Sequence, residues 1–86
     1  MYEQLVKNLW NTYFEYQMDS FNDDYRFTYI AVNDTIATIY EIEGGVEVVI
    51  EFCECTEDGN HYHQLDSKIY HRLAAAEKYI VKMLGY

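Results

Sequence analysis

Between Tyr25 and Cys55 the chain alternates three runs rich in Ile, Val, Thr, Tyr and Phe with two short turn-forming tripeptides. β-Branched and aromatic side chains fit a pleated, half-buried surface. Asn33-Asp34-Thr35 and Glu43-Gly44-Gly45 supply the residue types that hairpins need. The pattern predicts strands over residues 25–32, 36–43 and 46–55, joined as consecutive antiparallel hairpins. Side chains alternate across a strand, so loop length decides which residues share a face. With three-residue loops, Thr28, Ile30, Val32, Ile36, Thr38, Tyr40, Ile42, Val46, Val48, Ile50 and Phe52 form one face. Tyr25, Phe27, Tyr29, Ala31, Ala37, Ile39, Glu41, Glu43, Glu47, Val49, Glu51 and Cys53 form the other.

Helical spacing brackets these runs. Tyr2, Leu5, Val6, Leu9, Trp10, Tyr13 and Phe14 recur every three or four residues, and Met18 and Phe21 prolong the stripe. This predicts a helix over residues 2–18 that ends near Asp19-Ser20-Phe21-Asn22-Asp23-Asp24, a turn-favouring cluster. Ile69, Leu73, Ala76, Ile80 and Leu84 make a second stripe, read as a helix over residues 66–84. Asp66 is placed as its N-cap, Leu65 and Tyr70 as a hydrophobic staple, and Gly85 as its stop. The 86 residues contain no proline, repeat or linker, so residues 1–86 form one domain. The predicted fold is α+β, in the order α-β-β-β-α: a three-stranded antiparallel sheet with two flanking helices.

One stretch has the look of chemistry: Cys53-Glu54-Cys55-Thr56-Glu57-Asp58-Gly59-Asn60-His61-Tyr62-His63. A five-residue loop would place Cys53, Cys55, His61 and His63 on one face, where four thiolate and imidazole ligands could close a tetrahedral zinc site. A two-residue loop at Asp58-Gly59 puts the histidines on the face opposite the cysteines. The two loops fit the sequence equally, and the reading taken over a metal cage is an acidic hairpin tip with replaceable histidines. No metal or other cofactor is implied. No nucleophile elbow, zinc-protease motif, Walker loop or dinucleotide fingerprint occurs, which points away from an enzyme.

Charge is more informative. The net charge is −9, which disfavours direct contact with nucleic acid or anionic lipid and suits a basic partner. Residues 1–65 hold thirteen acids and two bases, whereas residues 66–86 hold two acids and four bases. Glu41, Glu43, Glu47 and Glu51 fall on one predicted sheet face, Glu54, Glu57 and Asp58 at the hairpin tip, and Asp23 and Asp24 after the first helix. A row of carboxylates about 6.7 Å apart suits a groove lined with Arg and Lys. Tyr29, with Tyr25, Phe27, Ile39 and Val49, interleaves with those acids, and an aromatic patch rimmed by charge is a common interface signature. A solvated face, a face covered by a helix and a homodimer interface are the competing structural readings. The opening segment Met1–Trp10 carries Glu3 and Lys7 and lacks a signal-peptide core, and two unbridged thiols suit a reducing compartment. The expected location is the cytoplasm.

In length, acidity and predicted topology the chain resembles the small acidic anti-defence inhibitors of phages and mobile elements, above all anti-CRISPR proteins that mimic nucleic acid. The resemblance implies a stoichiometric inhibitor that occupies the DNA-binding surface of a CRISPR effector or another defence nuclease, in the host cytoplasm. Bacteriocin immunity proteins and antitoxins, which neutralise a toxic nuclease, share the same size and charge. A small Cys/His metal-binding domain is the third alternative.

Overall fold

The computed structural model describes the backbone of residues 1–13, 17–21 and 26–85, and the side chains of residues 1–9 and 26–85. The elements are α1 (Tyr2–Tyr13), β1 (Gln17–Phe21), β2 (Arg26–Val32), β3 (Thr35–Ile42), β4 (Gly45–Thr56), β5 (Gly59–Tyr70) and α2 (Leu73–Leu84). All strands join one antiparallel sheet in chain order, β1-β2-β3-β4-β5. The class is α+β as expected, but the three-stranded sheet is not: two further strands extend it, one at each edge.

Both extra strands replace parts of predicted helices. The first helix stops at Tyr13, and Gln17–Phe21 pairs with β2. The second begins at Leu73, and Gly59–Tyr70 pairs along β4. Neither segment looks like a strand by propensity. Each is held by its neighbour's hydrogen-bonding edge, the tertiary context that overrides local preference. Asp66 is therefore no helix cap. Arg72 takes that position with extended backbone and no side-chain capping bond. Gly85 ends α2 as expected, in the left-handed region at φ 81°.

Both helices pack on one face of the sheet. Leu5, Val6 and Leu9 of α1 and Ala76, Ile80 and Leu84 of α2 meet Ile30, Val32, Ala37, Ile39, Val46, Val48 and Ile50, all buried. Tyr2 and Thr28, also buried, satisfy each other through their hydroxyls. The register differs from the expected one at β3. Each of the first two hairpin loops has two residues, Asn33-Asp34 and Glu43-Gly44, with Asn33 and Gly44 in the left-handed region at φ 57° and 75°. Removing one residue from the first loop turns β3 over, so Ala37 and Ile39, not Ile36 and Tyr40, face the helices. Removing one from the second restores the expected face of β4.

The far end of the sheet departs from the core. Beyond Ile50 the β4–β5 hairpin continues to the Glu57-Asp58 turn, and most of its side chains are exposed on both sides. The pairing slips at this point: Ile50 opposes Asp66, Glu51 opposes Gln64, and Leu65 is the extra residue of a bulge.

Helix α2 is fastened to β5 by a polar contact. Tyr79 donates to Asp66 Oδ2 at 2.5 Å, and the Ser67 N–H donates to Asp66 Oδ1 at 2.9 Å. The Tyr79 bond, with that N–H and the nearby Lys68 charge, holds the Asp66 carboxyl below the usual carboxylate range. Burial and the Asp66 carboxylate push the Tyr79 phenol well above its ordinary value. A depressed carboxyl contributes stability above its unfolded value, near pH ~4, and loses it as pH falls through the folded value. A raised phenol contributes below about pH 10 and loses it as pH rises through the folded value. Tyr79→Phe should therefore lower the melting temperature at neutral pH, and thermal melts against pH should show the gap from the unaltered protein narrowing in acid.

Candidate functional site

The face turned away from the helices is built by alternation. Phe27, Tyr29 and Ala31 of β2, Ile36, Thr38, Tyr40 and Ile42 of β3, Glu47, Val49, Glu51 and Cys53 of β4, and Tyr62, Gln64, Ser67 and Ile69 of β5 point to it. Among the described residues no helix covers this face. The Phe27 and Tyr40 rings meet across β2 and β3 in a tilted pair, 5.6 Å between centroids. A depression of about 640 Å³ lies over Val49 between Tyr40, Glu47, Glu51, Gln64 and Ser67. A smaller one, about 390 Å³, lies between Tyr29, Ile36, Thr38, Glu51 and Tyr62.

The acids expected on this face are divided by the register. Glu47 and Glu51 stand on it, two same-side positions apart and so about 13 Å from Cα to Cα. Glu41 does not: the reversal of β3 turns it to the helix side, where Arg26 Nη2 lies 3.2 Å from Glu41 Oε2 and 2.9 Å from Glu3 Oε1. Glu43 occupies the β3–β4 turn. The four-carboxylate row thus becomes a pair with Val49 between. Glu54 points to the helix side of the hairpin and meets His63 Nε2 at 3.0 Å. Glu57 and Asp58 form the exposed hairpin tip, where Thr56 Oγ1 accepts from the Asp58 N–H and donates to the Gly59 carbonyl. Tyr29 is half-buried on the open face beside Glu51. Asp23 and Asp24 lie outside the described residues.

The bases go elsewhere. The chain has six Lys and Arg. Lys7 is on α1, Lys78 and Lys82 are on α2, and Arg72 caps α2. Arg26 turns to the helix side over the Tyr2 ring at 4.6 Å, and Lys68 lies over the Tyr79 ring at 4.9 Å. Not one stands at an open-face strand position, and Glu3, Glu41, Glu54 and Asp66 share the helix side with them, so the open-face positions of the strands carry two carboxylates and no lysine or arginine.

The Cys/His hairpin puts its histidines and cysteines on opposite faces, as the two-residue loop would, but the loop is Glu57-Asp58 rather than Asp58-Gly59, which shifts the pairing by two residues. Cys53 opposes Tyr62 and Cys55 opposes Asn60 on one face, while His61 opposes Glu54 and His63 opposes Phe52 on the other. The four ligands of a zinc cage therefore cannot converge. Among the described residues, no group of three or more His, Cys, Asp or Glu is placed to hold a metal. Cys53 and Cys55 are free, and burial, with Cys55 beside it, pushes the Cys53 thiol up. A raised thiol is a poor nucleophile at neutral pH.

The site also includes apolar residues that the periodicity assigned elsewhere. Tyr62, Leu65 and Ile69 of β5 are 57%, 58% and 56% exposed. Leu65 and Ile69 read as helix staple and helix stripe because they precede Leu73 at helical spacing. The polar run between them gave no strand signal that could have placed them on a sheet. No described helix is long and apolar enough to cross a membrane. Family models, curated proteins and solved structures were compared with this chain and none matches it, so the open face is interpreted from its own geometry.

Proposed function

We propose that this chain is a stoichiometric protein inhibitor whose open sheet face and acidic hairpin tip dock on a basic, nucleic-acid-binding surface of a larger protein, a nuclease or defence effector, and block it. The charge of the open-face positions supports this reading. A face that no described helix covers, with aromatic rings, two carboxylates and no lysine or arginine at its strand positions, suits a cationic surface, while the bases on the far side orient the molecule as it approaches. Phe27, Tyr29 and Tyr40 supply apolar contact area, and Glu47, Glu51, Glu57 and Asp58 supply steering and register.

The test is capture of the partner from the cell that carries it, followed by binding of the purified pair. Affinity should fall as salt rises, and duplex DNA should compete for the partner. Reversing Glu47 and Glu51 to Lys should weaken the complex by roughly tenfold for each carboxylate that makes a charged hydrogen bond, with the circular dichroism spectrum unchanged. Reversing Lys78 and Lys82 to Glu should leave it within a few-fold. Equal losses from both pairs would show that net charge alone is read, and tight binding of the chain itself to DNA would end this reading.

A further inference from the structure

Strand β5 is the edge of the sheet, and no described strand lies beyond it. It is 12 residues long, against 5 for β1 at the other edge. An unpaired edge offers a row of N–H and C=O groups to any incoming strand, and folded proteins blunt such edges with short strands, prolines, outward charges or bulges. Here the bulge at Leu65 is the one such device. The chain has no proline. The only lysine of β5, Lys68, is drawn back over the Tyr79 ring and toward Asp66 at 3.9 Å. Its exposed side chains include Tyr62, Leu65 and Ile69, three of the five large hydrophobic side chains exposed among the described residues.

We infer that β5 pairs with an extended, basic segment of the partner, which adds a sixth strand to the sheet. The inference rests on the docking face proposed above and names how that face is engaged. Backbone pairing supplies the attachment, and alternate side chains of the added strand supply the selection. An added strand lies about 4.8 Å beyond β5. Between it and the Glu47–Val49–Glu51 row stands Ser67, opposite Val49. Serine is too short to close that side of the depression, so a lysine or arginine on the added strand reaches over it toward both carboxylates and the Tyr40 ring. A second copy of this chain fits less well. It would bring together two bodies of net charge −9, and the open-face residues of its own β5 (Asn60, Tyr62, Gln64, Ser67 and Ile69) include no cation to offer Glu47 and Glu51.

The probe is a synthetic peptide alternating arginine with valine, measured by fluorescence anisotropy against the full chain. Two modified peptides keep the same charge: one N-methylated at every arginine, the other at every valine. In a strand, alternate N–H groups point to opposite edges, so one modification removes the donors that face β5 and the other does not. The expected result is binding by the parent peptide, a loss of at least roughly tenfold in one methylated form, and near-parent affinity in the other. Ser67→Arg, at an exposed position, should weaken the parent peptide comparably by placing a cation in the depression. If both methylated peptides match the parent, or both lose binding, strand addition is wrong. Affinity that then still depends on Glu47→Gln and Glu51→Gln would leave the docking face standing. Affinity indifferent to those two substitutions, or no binding by the parent peptide, would remove the docking face as well. Sedimentation showing a dimer that Ile69→Lys splits would assign the edge to a second copy and overturn the inference.

Discussion

Replacing Ile39 with alanine should destabilise the fold by about 2–5 kcal/mol, whereas replacing Ile36 should cost about 1 kcal/mol or less. The two residues are three apart on one strand and chemically identical, so the difference isolates which way β3 faces. Ile39 is fully buried, opposed by Thr28 on β2 and Val48 on β4, in the core that the helices cover. Truncation there leaves a cavity that packed helices cannot collapse into. Ile36 is half-buried on the open face and opposes Ala31 and Glu51, where water fills what the side chain vacates. Domains of this size have only about 5–15 kcal/mol of stability in total, so the Ile39 variant should show a large drop in urea midpoint with little change in slope. Equal losses at the two positions, or the larger loss at Ile36, would mean that β3 faces the other way.

The second large effect is expected at Gly45. A Cβ there would lie 2.2 Å from the Tyr70 carbonyl oxygen, 3.2 Å from its carbonyl carbon and 3.0 Å from His71 Nδ1. The oxygen belongs to the backbone and cannot swing aside. The end of β5 would have to move, and with it the link to α2 and the hydrogen bond from His71 Nδ1 to the Gly44 carbonyl at 3.1 Å. Gly45→Ala should cost about 3 kcal/mol, the upper end for overpacking, and lower the melting temperature by more than about 10 °C. Gly44 is the control. Its φ is 75° and a Cβ would meet nothing within 4 Å. Only the strain of a left-handed residue applies, and Gly44→Asn, which tolerates that region, should melt close to the unaltered protein. A Gly45→Ala protein as stable as Gly44→Asn would contradict the close approach.

These two positions also show where the sequence speaks and where it is silent. Helical stripes were legible because Leu5, Val6, Leu9, Ala76, Ile80 and Leu84 bury apolar area at a period no strand can use. The hairpins were legible as turns, but not in length. One residue more or less in Asn33-Asp34-Thr35 leaves composition unchanged and turns over every side chain that follows. The error at β3 cancelled at the next turn, so Glu47 and Glu51 share the expected face while Ile39 and Glu41 both turn to the helix side. β5 was legible only at its hairpin end, and its length was hidden for a different reason. Its twelve residues include His61, His63, Gln64, Asp66, Ser67 and Lys68, which have little preference for a strand, and it exists because β4 offers an edge that long. Local propensity cannot reveal a strand whose cause lies on its neighbour.

The bulge at Leu65 has a consequence for motion. On the core side of it, β4 and β5 are backed by α2 and share the cooperativity of the whole domain. On the outer side β4 is still tied to the start of β3 as far as Phe52 and Cys53; beyond them residues 54–61 form a two-stranded ribbon whose side chains are exposed, and such a ribbon is marginally stable by itself. Its backbone hydrogen bonds can open without loss of the core, so the hairpin behaves as a separate cooperative unit whose opening free energy is well below that of global unfolding. An arm of this kind holds its acidic tip in solution as an ensemble and orders it only on contact. Part of any affinity gained at Glu57 and Asp58 is then returned as the entropy of stilling the arm, and a cross-link between its two strands would tighten binding without adding a single contact.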